Sequence, residues 1–115
     1  MNVSALYFTE TEAQFQASVI RLAQLLGWRV WHDRATNARR TCPDCGARTR
    51  VPRNDAGLPD LLLIRRPRLV VIECKSERGK PTRQQLEWLA ALQDCGIESY
   101  VLKPSMWKRL EEILR

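Results

Sequence analysis

Residues 57–75 read GLPDLLLIRRPRLVVIECK, and this stretch decides the fold. Two short apolar runs, Leu61–Ile64 and Leu69–Ile72, flank the basic segment Arg65-Arg66-Pro67-Arg68. Runs this short, bounded by breakers, predict buried strands joined in a hairpin. With the turn centred on Arg66 and Pro67, Asp60 stands directly across from Glu73. Opposed residues of an antiparallel pair hold their Cβ atoms roughly 4.5–5.5 Å apart on one face. Strand alternation places Lys75 on that face and turns Cys74 to the other. Two facing carboxylates repel unless something cationic lies between them. A divalent ion would relieve the repulsion, and hard oxygen ligands suit Mg2+ or Mn2+.

Upstream, residues 10–26 predict a helix, because Phe15, Val19, Leu22 and Leu26 recur at helical spacing and Gly27 supplies a stop. Glu12 and Gln16 share one face of it. Thr9-Glu10-Thr11-Glu12 also fits a capping box with Glu12 as its acidic member, so Glu12 reads equally as cap or site residue. Trp28–His32 predicts a strand with Trp28, Val30 and His32 on one face. Downstream, a second helix is expected from Thr82 to about Asp94, opened by the capping box Thr82-Arg83-Gln84-Gln85. Ile97–Leu102 follows as a strand. Pro104 ends it, Ser105 is placed to cap, and Met106–Leu114 closes the chain as a helix with Trp107, Leu110 and Leu114 on its apolar side. The order αβββαβα describes an α/β fold, a mixed β-sheet flanked by helices.

The 115 residues suit one domain spanning 1–115, large enough for a core without staples. No run approaches the roughly 18 apolar residues of a membrane span, and MNVSALYFTE lacks the layout of a signal peptide. The expected location is therefore intracellular, in the cytoplasm, with no membrane partner. Four cysteines in that setting read as free thiols or metal ligands.

Net charge is +6, and its distribution matters more than its size. Residues 34–53 carry +5 and residues 65–83 also carry +5, whereas residues 1–20 carry −2. Basic stretches thus flank the acidic pair, as a polyphosphate substrate requires. Arg39, Arg40, Arg48, Arg50 and Arg53 are the candidate phosphate contacts, with Arg78 and Lys80 behind them.

Residues 33–56, DRATNARRTCPDCGARTRVPRNDA, form the least regular stretch and read as an Arg/Cys-rich loop insertion. Cys42-Pro43-Asp44-Cys45 has the spacing of half a zinc knuckle, and a structural zinc wants four ligands. Cys74 is expected in the core and Cys95 against its helix, which leaves His32 or a second chain's Cys42 and Cys45 to complete a Zn2+ site. The other reading is a metal-free turn shaped by Pro43 and Gly46.

Pro59-Asp60 followed by Glu73-Cys74-Lys75 resembles the PD-(D/E)xK nuclease signature. Thr11-Glu12 with Gln16, Gly57-Leu58-Pro59-Asp60, Glu73-Cys74-Lys75-Ser76, and Gln85 with Trp88 extend the resemblance to the VRR-NUC family in its small stand-alone form, often carried by phages. The insertion departs from that family's usual short connection. The resemblance implies a restriction-endonuclease-like core and a metal-dependent endonuclease. It assigns catalytic roles to Asp60, Glu73, Lys75, Glu12 and Gln85. The metal would be held by Asp60, Glu73 and the Cys74 backbone carbonyl, with Glu12 as a further ligand. The substrate it implies is DNA, cut structure-selectively at branched forms such as four-way (Holliday) junctions by a homodimer. Two rivals stand beside it. One is a non-catalytic nucleic-acid-binding module built on the Arg-rich CxxC loop; the other is a restriction-type nuclease with true sequence specificity.

Overall fold

The computed structural model describes residues 9–32, 39–50 and 57–115, of which 39–41 and 48–50 are described by their backbone. The elements run α1 (Glu12–Leu25), β1 (Arg29–His32), β2 (Arg39–Thr41), β3 (Arg48–Arg50), β4 (Leu61–Arg65), β5 (Arg68–Cys74), α2 (Arg83–Asp94) and β6 (Glu98–Leu102). A 3-10 turn at Pro104–Met106 then leads into α3 (Trp107–Leu114).

Four strands form one mixed sheet in the order β1-β4-β5-β6. β4 pairs antiparallel with both β1 and β5, and β6 joins β5 in parallel. Parallel pairing demands a crossover, and α2 supplies it. Helices flank the sheet, so the α/β, restriction-endonuclease-like architecture expected from the sequence is the one observed. The expected hairpin register also holds, from Leu61↔Ile72 to Arg65↔Arg68.

One expectation needs correcting. The insertion is not wholly irregular, because β2 and β3 pair antiparallel as a separate two-stranded sheet, with Arg39 opposite Arg50 and Thr41 opposite Arg48. A threonine in each strand and a Cys-Pro-Asp-Cys-Gly turn between them favour this pairing over a loop.

Alternation divides the sheet into two faces. Leu61 and Leu63 of β4, with Val70, Ile72 and Cys74 of β5, are buried in one cluster with Phe15, Val19 and Ala23 of α1 and Leu110, Ile113 and Leu114 of α3. Each fully buried large side chain there contributes about 1.5–3 kcal/mol. Phe15 and Trp107 pack in a T-shaped pair with centroids 6.4 Å apart, tying α1 to the start of α3. Val71 and Ser99 are buried on the opposite face, on the side of α2, whose only buried residue is Leu89. Gln93 of that helix donates to the Ser99 carbonyl at 3.0 Å.

Arg65 and Arg68, part of a basic run, are structural cations. Arg65 donates to the carbonyls of Leu26, Leu114 and Arg115 at 3.0, 3.1 and 2.7 Å. It thereby satisfies the unpaired carbonyls at the C-terminal ends of both α1 and α3. Its guanidinium lies 4.6 Å from the Trp28 ring centre, and that indole donates to Leu114 at 3.0 Å. Arg68 makes a two-pronged pair with Glu98 at 3.0 and 2.8 Å.

Three smaller expectations differ. Ser105 does not cap with its side chain; its backbone N–H donates to Glu77 Oε2 at 3.0 Å. Cys95 does not pack against its helix but is exposed at the C-cap, while Cys74 is buried as expected. Leu86 and Trp88 also remain exposed, 51% and 37%, so α2 buries a narrower stripe than its composition suggested.

No helix among the described residues is long and apolar enough to cross a membrane.

Candidate active site

The β4–β5 hairpin brings Asp60 and Glu73 together at its open end, where the strands leave the turn-distal side of the sheet. Glu73 is wholly buried and Lys75 nearly so, whereas Asp60 is half-buried. The two acidic residues clasp each other through the backbone. The Asp60 N–H donates to Glu73 Oε2 at 3.2 Å, and the Cys74 N–H donates to Asp60 Oδ2 at 3.1 Å. Each carboxylate is therefore oriented by the strand that carries the other.

Glu12 joins them from the first turn of α1. One carboxylate oxygen each from Glu12, Asp60 and Glu73 lie within 4.8 Å of one another. The helix cap makes Glu12 available. Thr11 is the N-cap, and it exchanges hydrogen bonds with Gln14, not with Glu12. The capping role considered for Glu12 is thus taken by a glutamine two residues on, and Glu12 stays exposed at the site's mouth.

Gln85 makes two contacts at once. Its amide oxygen accepts from the Thr82 N–H at 2.8 Å, closing the capping box of α2. Its amide nitrogen simultaneously donates to Glu73 Oε1 at 2.8 Å. Lys75 Nζ lies 3.3 Å from the same Glu73 oxygen and 3.9 Å from Glu12.

Electrostatics follow from this crowding. Burial, and then the Asp60 charge, push the Glu73 carboxyl from 4.5 up to about 7, against the opposing pull of Lys75. A buried carboxyl held this high is a group that a bound cation would return to its ionised form. The donor set fits a hard divalent ion: three carboxylates converge, and oxygen ligands of this kind suit such ions. Burial pushes the Cys74 thiol far up as well, so its sulfur is a core group and not a ligand.

The remaining candidates lie apart. Arg78 and Lys80 are exposed on the turn after Lys75. Arg39, Arg40, Arg48 and Arg50 belong to β2 and β3, and Arg53 lies outside the described residues. Cys42 and Cys45 sit in the turn between β2 and β3, and no third metal-binding side chain joins them among the described residues. Sequence reasoning did not find the two backbone amides that orient the carboxylates. Their signal was present in the register, which places both N–H groups beside the facing side chains.

A mixed sheet of this order, flanked by helices and gathering acidic side chains where its antiparallel hairpin opens, is the layout of the restriction-endonuclease-like nucleases. Residues 13–106, most of the chain, match the VRR-NUC domain. The protein belongs to the VRR-NUC family and is a nuclease-type protein, with nucleic acid as its substrate. No curated protein and no solved structure matches it.

Proposed function

We propose that the chain is a Mg2+- or Mn2+-dependent endonuclease that hydrolyses DNA phosphodiester bonds. The single observation carrying this reading is the convergence of Glu12, Asp60 and Glu73 within 4.8 Å beside Lys75. Asp60 and Glu73 would hold the ion, with Glu12 as a further ligand. The Cys74 carbonyl is a reasonable companion, because its N–H already points to Asp60 and a strand residue presents N–H and C=O to the same edge. A divalent ion bound here neutralises phosphate charge and acidifies coordinated water.

The chain's own groups do the rest. Lys75 is poised to orient the attacking water and to stabilise charge on the five-coordinate phosphorus transition state. Its pairing with Glu73 keeps the ammonium aimed at the carboxylates, not at solvent. Gln85 fixes the Glu73 rotamer through a 2.8 Å bond, and the backbone clasp fixes Asp60. Arg78 and Lys80, exposed next to this cluster in sequence, are suited to the phosphates flanking the scissile bond, and the arginines of residues 39–53 to phosphates further along. Such contacts read backbone shape rather than bases, which fits branched DNA such as four-way junctions better than one fixed sequence. A homodimer follows from the same logic, since one such site cuts one strand.

The test is cleavage of supercoiled plasmid and of a synthetic four-way junction in Mg2+, Mn2+ or EDTA, with wild type beside Glu73→Ala. Metal-dependent cleavage that disappears in the variant is expected, faster on the junction than on duplex. Binding without cleavage under every metal would instead favour a non-catalytic binding module. Cuts recurring at one sequence would favour a restriction-type enzyme.

A further inference from the structure

The turn between β2 and β3 carries chemistry that the proposed active site does not use. The Cys42 N–H donates to the Ala47 carbonyl at 2.8 Å, and the Gly46 N–H donates to the Cys42 carbonyl at 2.9 Å. Gly46 adopts φ +72°, a left-handed conformation that costs a side-chain-bearing residue far more than glycine. These bonds fold Cys42 and Cys45 back onto one another. Cys42-Pro43-Asp44-Cys45 sets the two thiols at the spacing that lets both reach one ion. Two cysteines on one tight turn supply two corners of a tetrahedral thiolate site.

The hairpin itself needs such a site. It stands as a separate two-stranded sheet, with Arg39 and Arg50 as backbone register partners. An isolated two-stranded hairpin is marginal in water. A zinc ion held by thiolates would staple the turn.

Among the described residues, no further thiolate of the same chain joins Cys42 and Cys45. The chain has four cysteines and one histidine. Cys74 is locked in the core, and Cys95 lies exposed at the far end of α2. Among the described residues, the acidic cluster of the active site is the only place where three metal-binding side chains meet. We infer that Cys42 and Cys45 are half of a structural zinc site completed by Cys42 and Cys45 of a second copy, so that one zinc lies on the twofold axis of a homodimer. A self-complementary turn at a twofold axis satisfies the geometry with no further residue. The inference names what joins the two copies invoked for strand cleavage, and it stands independently of the nuclease reading.

The full chain, purified under reducing conditions with zinc in the growth medium, is weighed by native mass spectrometry and its metal counted by elemental analysis. A dimer holding one zinc per pair of chains is expected. Stripping the zinc with a strong chelator should halve the mass, and adding Zn2+ alone should restore it. Cys42→Ser and Cys45→Ser should be zinc-free monomers, whereas Cys95→Ser and Glu73→Gln should keep both zinc and dimer. Co2+ in place of zinc should give the visible spectrum of a tetrahedral tetrathiolate. The inference is overturned by one zinc per monomer, by a dimer that survives zinc removal, or by zinc-free protein. The stripping and refilling of wild type read the same question should either serine variant fail to fold.

Discussion

Asp60 and Glu73 hold each other through the backbone: the Asp60 N–H donates to Glu73 Oε2 at 3.2 Å, while the Asp60 carboxylate accepts from Cys74, the residue after Glu73. The clasp keeps two negative groups close inside a buried end of the sheet, and the consequence is a pH dependence with a definite sign. Glu73 in the folded protein holds its proton up to about 7, whereas in the unfolded chain it releases it near 4.5. The folded state binds the extra proton between those values, so metal-free protein loses stability as pH rises through that window. A divalent ion takes the ionised form and reverses the trend. Melting temperature in EDTA should fall from about pH 5 to about pH 8, and the stabilisation by added Mg2+ or Mn2+ should grow over the same interval. An EDTA profile that rises over this range would contradict the assigned burial of Glu73.

Gln85 serves helix and site at once, and two variants separate the roles. Thr82→Ala removes only the cap and should cost about 1 kcal/mol of stability with cleavage little changed. Gln85→Ala removes the other half of the capping box and the donor to Glu73, so a loss of stability no larger than that of Thr82→Ala should come with a rate about 10- to 100-fold lower. Denaturant melts and single-turnover cleavage read the two effects separately. Equal rates in both variants would make Gln85 a cap alone.

Gly57 lies against the first turn of α2. A Cβ there would stand 2.8 Å from the Gln84 backbone carbon, at a φ of +97°. Gly57→Ala should therefore push α2 away from the hairpin, costing about 1–3 kcal/mol and pulling Gln85 off Glu73. Gly96 has a similar φ of +79° but open space around it. Gly96→Ala should show only the smaller backbone cost, about 1 kcal/mol, with normal cleavage. Thermal melts paired with rates would distinguish crowding from strain.

The proposed division of the arginines into structural and DNA-contacting groups is open to test. Arg65→Ala unpairs the carbonyl ends of α1 and α3 and should destabilise by about 1–2 kcal/mol, leaving the salt dependence of DNA binding unchanged. Arg78→Ala should leave the melt unchanged and lower the slope of log affinity against log salt by about 1. Binding titrations at several salt concentrations, set beside melts, test both. A changed slope in Arg65→Ala would move that residue to the DNA surface.

What the sequence by itself determined was local. The position of the Arg66-Pro67 turn set the β4–β5 register, and alternation then placed Asp60, Glu73 and Lys75 together and sent Cys74 to the core. Those residues also carried the family resemblance that the domain match bears out. Tertiary structure decided the rest. Glu12 reaches the carboxylates because α1 packs Phe15 and Val19 across the sheet, and because Gln14 takes the capping role. Gln85 meets Glu73 because the crossover into β6 lays the start of α2 beside the hairpin's open end. Arg65, in sequence only one member of a basic run, becomes a helix-end partner because the ends of α1 and α3 converge on Trp28. Periodicity reports which side of its own element a residue takes. Which elements then meet depends on packing between segments far apart in sequence, and no local pattern encodes that distance.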